Sequence, residues 1–184
     1  SLEEELKRVM KEVRDLAKEH SDRSRDVMRE IRELSEENER RLRRVLEEAK
    51  RLADDLRRDR RKELLEDLER KLRKLVEDAR RHHKKLEDDV KRITDELEKH
   101  LRELEKRLRD LTRRLEELLR REKVEERLKD ILRRIREDIE RLLDELRKLN
   151  EKIKRDVDRL LKENKETLDD IERRIRKLLD DERR

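Results

Sequence analysis

Apolar residues recur along this chain with one repeating pattern of spacing. From Leu2 onward, the steps between them run four, three, four, three and four residues, and then the series begins again. Five steps cover 18 residues, which gives 3.6 residues per step, the period of a straight α-helix. A strict seven-residue repeat would instead impose a left-handed supercoil. The pattern therefore predicts long, nearly untwisted α-helices, each with one apolar stripe.

The stripe is interrupted twice, and both interruptions predict turns. Apolar residues are missing from Arg57–Glu63 and Arg120–Lys123, and the stripe changes phase by one residue at each gap. Ser1 and Glu4 form a capping-box pattern for the first helix, and Asp59 is a candidate N-cap for the second. We predict an all-α, elongated, antiparallel three-helix bundle that forms a single domain over residues 1–184. Its helices are expected at about 1–58, 60–120 and 123–183. Nothing in the sequence breaks a helix, so one continuous rod is the alternative.

The composition excludes several functional classes. Charged residues make up 62% of the chain, and Gly, Pro, Cys, Phe, Trp and Tyr are absent. Lys and Arg number 60 and Asp and Glu 55, for a net charge of +5, but the two signs alternate instead of forming one basic face. This pattern argues against nucleic-acid binding. No apolar run is long enough for a membrane helix. Nucleophile, phosphate-loop and cofactor patterns are missing, so we expect neither an enzyme nor a cofactor.

Uncharged polar residues are rare, and most fall on or beside the apolar stripe. Folding the chain at the two turns brings several of them to the same height on neighbouring helices. Buried polar groups without partners destabilise a protein, so such layers penalise shifted packings. We predict structural polar layers in the core, with two main layers and a third. They comprise His20, His100 and Ser24; Asn38, His82, His83 and Asn164; and Thr94 and Asn150.

The four histidines allow two other interpretations. A zinc site needs four ligands, or three and a water, and the proposed layers supply at most two or three imidazoles. Hydrogen-bonded core histidines are therefore preferred to a metal site. Burial favours neutral histidine, so a pH-responsive bundle is the second alternative.

The whole chain resembles computationally designed, parametrically generated helical bundles with buried hydrogen-bond networks. The 18-residue repeat, the Leu/Ile/Val core, the surface built from four charged residue types and the core Asn, His, Ser and Thr carry this resemblance. It departs from such designs in having no Gly in its turns. Natural spectrin-like three-helix repeats are shorter and carry a core Trp, which is missing here.

The resemblance implies a structural scaffold, or a test of bundle design, with no natural biochemical function and no native cellular address. The chain is expected to be soluble, and cytoplasmic when expressed in a host. No partner is expected, and a monomer is preferred. A self-assembling oligomeric building block is the alternative, because hairpins with polar layers also pair between chains.

Overall fold

The computed structural model describes residues 1–59, 61–121 and 124–183. Its elements in chain order are α1 (Leu2–Arg58), α2 (Lys62–Arg120) and α3 (Glu126–Arg183). The three predicted helices are confirmed, and their carboxyl-terminal ends agree with the sequence analysis. Helix α1 continues without interruption through residues 20–24, as the unbroken phase of the stripe predicted. The predicted first residues of the second and third helices, 60 and 123, lie outside the described part of the chain.

The amino terminus of α1 has the predicted capping box. The Glu4 amide donates a hydrogen bond to Ser1 Oγ at 3.4 Å, and the Glu4 carboxylate lies 3.7 Å from the terminal amino group. Glu3, Glu4 and Glu5 occupy the first turn, where carboxylates favour the helix dipole. Local chemistry therefore fixes where α1 begins.

The prediction that Asp59 caps α2 was wrong. The Asp59 amide donates to the Leu56 carbonyl at 3.1 Å, so this residue extends the last turn of α1. Its carboxylate accepts hydrogen bonds from the Arg61 guanidinium at 2.7–3.2 Å. The first carbonyl of α2 belongs to Arg61, which accepts from the Leu64 amide at 3.0 Å. An acidic side chain close to an arginine forms an ion pair in preference to the more distant helix amides.

The chain divides into two compact units, and each contains part of all three helices. Unit 1 comprises Ser1–Met28 and Ile93–Arg155, and unit 2 comprises Arg29–Arg92 and the chain from Asp156 onward. In each unit, α1 and α3 run in the same direction and α2 runs opposite to them. The single-domain assignment stays a prediction.

Each unit has its own apolar core, formed where the stripes of the three helices face one another. In unit 1 the fully buried side chains of this core include Leu108, Leu115, Leu132 and Ile139. In unit 2, Leu42, Leu72 and Leu168 have the same role. Among the described residues no large hydrophobic side chain is exposed. At about 1.5–3 kcal/mol for each fully buried aliphatic side chain, these stripes are the main source of stability.

Candidate functional site: two buried polar clusters

Six polar residues are buried in the interior of the units, and five of them belong to the predicted layers. Together they are the only buried polar or charged residues among those the structure describes: His20, Ser24, Ser35, Asn38, His83 and Asn164. They lie on the apolar face of their helices, because the 3.6-residue period brings them onto the same stripe as the leucines.

The first cluster joins α1 to α3 in unit 2, and we call Ser35, Asn38 and Asn164 the asparagine cluster. Asn38 Nδ2 donates to Asn164 Oδ1 at 3.1 Å. Asn164 Nδ2 donates to Ser35 Oγ at 2.6 Å and to the Leu160 carbonyl of its own helix at 3.1 Å. The Asn164 side-chain amide thus uses its oxygen and its nitrogen on two different residues of α1. A shift of α1 along α3 by one helical turn, about 5.4 Å, would separate these atoms.

Ser35 was missing from the predicted layers, although it lies beside the stripe. Its spacing from Asn38 was the available signal, since residues three apart share one face of a helix. The sequence analysis placed Asn38 in one layer with Asn164 and the two histidines of α2. The structure pairs it with Asn164, because α1 and α3 are parallel neighbours in this unit.

The second cluster lies in unit 1, and we call His20, His100, Ser24 and Glu19 the histidine cluster. His20 Nδ1 and His100 Nδ1 are 3.4 Å apart, and the two ring planes differ by 6°. His100 Nε2 lies 3.4 Å from Glu19 Oε1. His20 is fully buried, whereas the His100 side chain keeps 14% of its exposure. The predicted His20–His100 pairing is present in the structure.

Two atoms of this cluster are buried without a hydrogen-bond partner, namely His20 Nε2 and Ser24 Oγ. Burial is the main cause that lowers the pKa of His20, and the neighbouring imidazole of His100 and the Arg23 guanidinium lower it further. Glu19 acts in the opposite direction. His20 is therefore held in its neutral form, which is the physical requirement for an imidazole in an apolar core.

The assignment of His82 to the core was wrong, because its side chain is exposed. The buried line of α2 passes through Ala79, His83 and Leu86 instead. Adjacent helical residues point about 100° apart, so only one of the two histidines can face the core. His83 Nε2 lies 2.8 Å from Glu87 Oε1, but the direction of this contact is not that of a hydrogen bond.

The third predicted layer is only partly buried. Thr94 and Asn150 both belong to unit 1, and each is half-exposed. Thr112, another threonine beside the stripe, donates to the Leu108 carbonyl of its own helix at 2.9 Å. The Thr112 hydroxyl thus binds the preceding turn of its own helix, a common local arrangement.

Ion pairs between helices form a further polar contribution that the sequence analysis did not predict. Arg80 donates two hydrogen bonds to Glu172 at 2.6 and 3.2 Å, and the Glu172 side chain is only 12% exposed. The hydrogen bonds from Arg80 lower the pKa of Glu172. In unit 1, Arg147 Nε lies 3.4 Å from Glu105 Oε1. The ion pairs of carboxylates at the border of the core therefore also depend on the position of the neighbouring helix.

These pairs follow one rule of register. In the five ion pairs between α2 and α3 that the described residues form, the two residue numbers add up to the same total. The pairs of unit 1 are Glu98 with Lys154, Glu105 with Arg147 and Glu116 with Arg136; those of unit 2 are Glu69 with Arg183 and Arg80 with Glu172. This constancy indicates regular antiparallel packing of the two helices within each unit.

The described surface of unit 1 includes an apolar groove between α1 and α3, with a volume of about 310 Å³. Its floor is apolar, with Met10, Val13 and Leu142, and its rim carries charged residues such as Arg141 and Asp138. Those two pair with each other. In the part of the chain that is described, three or more His, Asp or Glu side chains nowhere converge on a point that could hold a metal ion. No helix among these residues combines the length and the apolar character needed to span a membrane.

Comparison with known proteins finds a solved structure with a similar fold. A solved structure described as a "Computationally designed three helix bundle" superposes with a TM-score of 0.86 and 16% sequence identity. The match covers 98% of this chain and 91% of that one. The fold is that of a three-helix bundle. No protein-family model and no curated protein matches the chain.

Proposed function

We propose that the chain is a de novo designed structural scaffold in which buried polar clusters select one arrangement of the helices. The observation that carries this proposal is the asparagine cluster, where one buried side-chain amide is hydrogen bonded to two residues of a second helix. A packing shifted along the helix axis leaves these groups buried and unpaired, at a cost of about 1–3 kcal/mol each. An apolar core alone would tolerate several registers.

Two further observations support a designed origin. The apolar spacing repeats with one period over all three helices, and the chain contains no Gly, Pro or aromatic residue. The fold similarity is to a bundle whose description states that it was designed. Natural domains average about 7% Gly and 5% Pro, so a composition of this kind is foreign to them.

We also propose that the scaffold acts without catalysis and without a partner. The described residues leave no large hydrophobic side chain exposed for a second chain to cover. Many of the described carboxylates and guanidiniums form ion pairs along and between the helices. A monomer of 23.2 kDa is the expected species in solution.

The test compares the wild-type chain with a variant in which the asparagine cluster is apolar: Ser35→Ala, Asn38→Leu and Asn164→Leu. Two-dimensional amide NMR of the wild type is expected to show one resonance per residue, at a mass near one chain. The apolar variant is expected to stay helical but to give broadened or multiple resonances, or additional oligomers, because its helices no longer have a unique register.

Thr167→Val is the matched control, since the Thr167 hydroxyl donates at 3.1 Å to Glu163 of its own helix and to no other helix. This variant should keep the wild-type spectrum. One sharp set of resonances with wild-type contacts between helices in the apolar variant would show that the asparagine cluster does not select the packing.

A further inference from the structure

The histidine cluster contains a head-on contact between two imidazoles. The ring centroids are 5.6 Å apart and the Nδ1 atoms 3.4 Å apart. The difference between these distances is about twice the distance from the centre of an imidazole to one of its ring atoms. Each Nδ1 therefore lies close to the line that joins the centroids, and the parallel rings meet edge to edge instead of face to face. In this arrangement only one hydrogen atom fits between the two nitrogens.

The number of protons on the pair decides whether this contact is attractive. With both rings neutral, one Nδ1–H donates to the other Nδ1, which accepts. With one proton added, an imidazolium faces an imidazole, and the hydrogen bond becomes charge-assisted. With two protons added, both Nδ1 atoms are donors that point at each other, and both rings are positively charged. The doubly protonated pair cannot keep the observed geometry.

The surroundings accept one positive charge but not two. The charged groups that act on His20 are Glu19 and Arg23 of α1. On α2, the exposed Glu96, Lys99 and Glu103 lie within one helical turn of His100, and on α3 the exposed Glu145 and Arg147 flank the buried Leu146. Arg147 is engaged with Glu105 of α2. Of these groups, Glu19 alone contacts the pair, at His100 Nε2. The Glu19 carboxylate can therefore balance one positive charge added to the pair. A second proton would place a charge on the fully buried His20, close to Arg23.

We propose that the His20–His100 pair is a pH-sensitive latch between α1 and α2 of unit 1, which keeps its contact with one added proton and opens when a second is added. The asparagine cluster of unit 2 contains no titratable group, so its hydrogen bonds are independent of this latch. The inference does not depend on a designed origin or on the selection of register.

Side-chain ¹⁵N NMR of the histidines, recorded from about pH 8 to about pH 4, tests the latch directly. The expected result is two protonation steps for the pair, separated by more than about one pH unit, as for strongly coupled groups. Amide hydrogen exchange in residues 1–28 of unit 1 should accelerate only with the second step. A single step shared by both rings, or faster exchange that begins with the first step, would overturn the proposal.

Two variants complete the test. His100→Gln removes the partner, so His20 should titrate in one simple step. His82→Gln alters an exposed histidine of the same helix and should leave both steps of the pair unchanged. Loss of the two-step titration in His82→Gln would also contradict the latch. If His100→Gln does not fold, the wild-type titration and His82→Gln still decide the matter.

Discussion

Replacing Asn164 by leucine is expected to destabilise the protein even though it adds an apolar side chain to the core. The substitution leaves Asn38 Nδ2 and Ser35 Oγ buried without their partner. At about 1–3 kcal/mol for each orphaned group, the loss is about 2–6 kcal/mol. Burial of the leucine side chain returns about 1.5–3 kcal/mol. From the midpoints of these two ranges, the net expectation is a decrease of about 2 kcal/mol in the free energy of unfolding.

The same reasoning predicts the opposite result when every member of the cluster is changed. With Ser35→Ala and Asn38→Leu added to Asn164→Leu, no orphaned group remains. Replacing all polar partners by apolar residues of similar shape is close to neutral or stabilising. The triple variant should therefore recover all of the stability that the single variant loses.

The assay is guanidinium unfolding at pH 7.5, followed by the helical circular dichroism signal for the wild type and both variants. The slope of each transition must be compared as well, because a changed slope indicates a changed unfolded or native ensemble. A single variant as stable as the wild type, or a triple variant less stable than the single one, would refute the reasoning from orphaned hydrogen bonds.

Three other changes test the account at different places. Leu108→Ala removes a fully buried side chain from the core of unit 1 and should lower the free energy of unfolding, measured by chemical denaturation, by about 2–5 kcal/mol. A decrease below about 1 kcal/mol would mean that this core is loosely packed. Arg80→Gln breaks the ion pair with Glu172 and should lower the free energy of unfolding by about 1 kcal/mol or less, because the arginine is half-exposed. The difference from the wild type should shrink in 1 M salt. An effect independent of salt would contradict the assignment of an ion pair. The Tm should fall between pH 7 and pH 5, because burial lowers the pKa of His20 and protons bind more readily to the unfolded chain. The stability contributed by neutral His20 is complete above the ordinary histidine pKa of 6.5 and is lost as the pH falls toward the lowered pKa of the folded protein. The loss amounts to no more than about 1.4 kcal/mol per pH unit. Melting curves that coincide over this range would contradict the neutral, buried state of His20.

The apolar pattern was sufficient to predict the helices, because each stripe residue has one physical reason for its position. It could not fix the beginnings of α2 and α3. Without Gly or Pro, the turns are set by local contacts such as the Asp59–Arg61 ion pair, which competes with helix capping. Side-chain pairing of this kind depends on distances that a one-dimensional pattern does not contain.

Some of the buried polar residues could be predicted from the sequence, and others could not. Asn38 and Asn164 were recognisable because a neutral amide on an apolar stripe has no other plausible environment. The sequence could not decide which of His82 and His83 is buried. The apolar stripe of a helix that packs against two neighbours is wide enough to include either of two adjacent residues. The buried line of α2 passes through His83 and Leu101, one residue from the predicted stripe, which also explains why His100 lies at the edge of the core.

The central claim concerns the side-chain amide of Asn164, which should lie inside the protein in contact with Asn38 and Ser35 of another helix. Nuclear Overhauser contacts and hydrogen exchange of that amide in a ¹⁵N-labelled sample measure this directly. The account predicts one slowly exchanging pair of amide protons, with cross-peaks to both residues of α1. An amide that exchanges as fast as one in water, with cross-peaks only to its own helix, would contradict it.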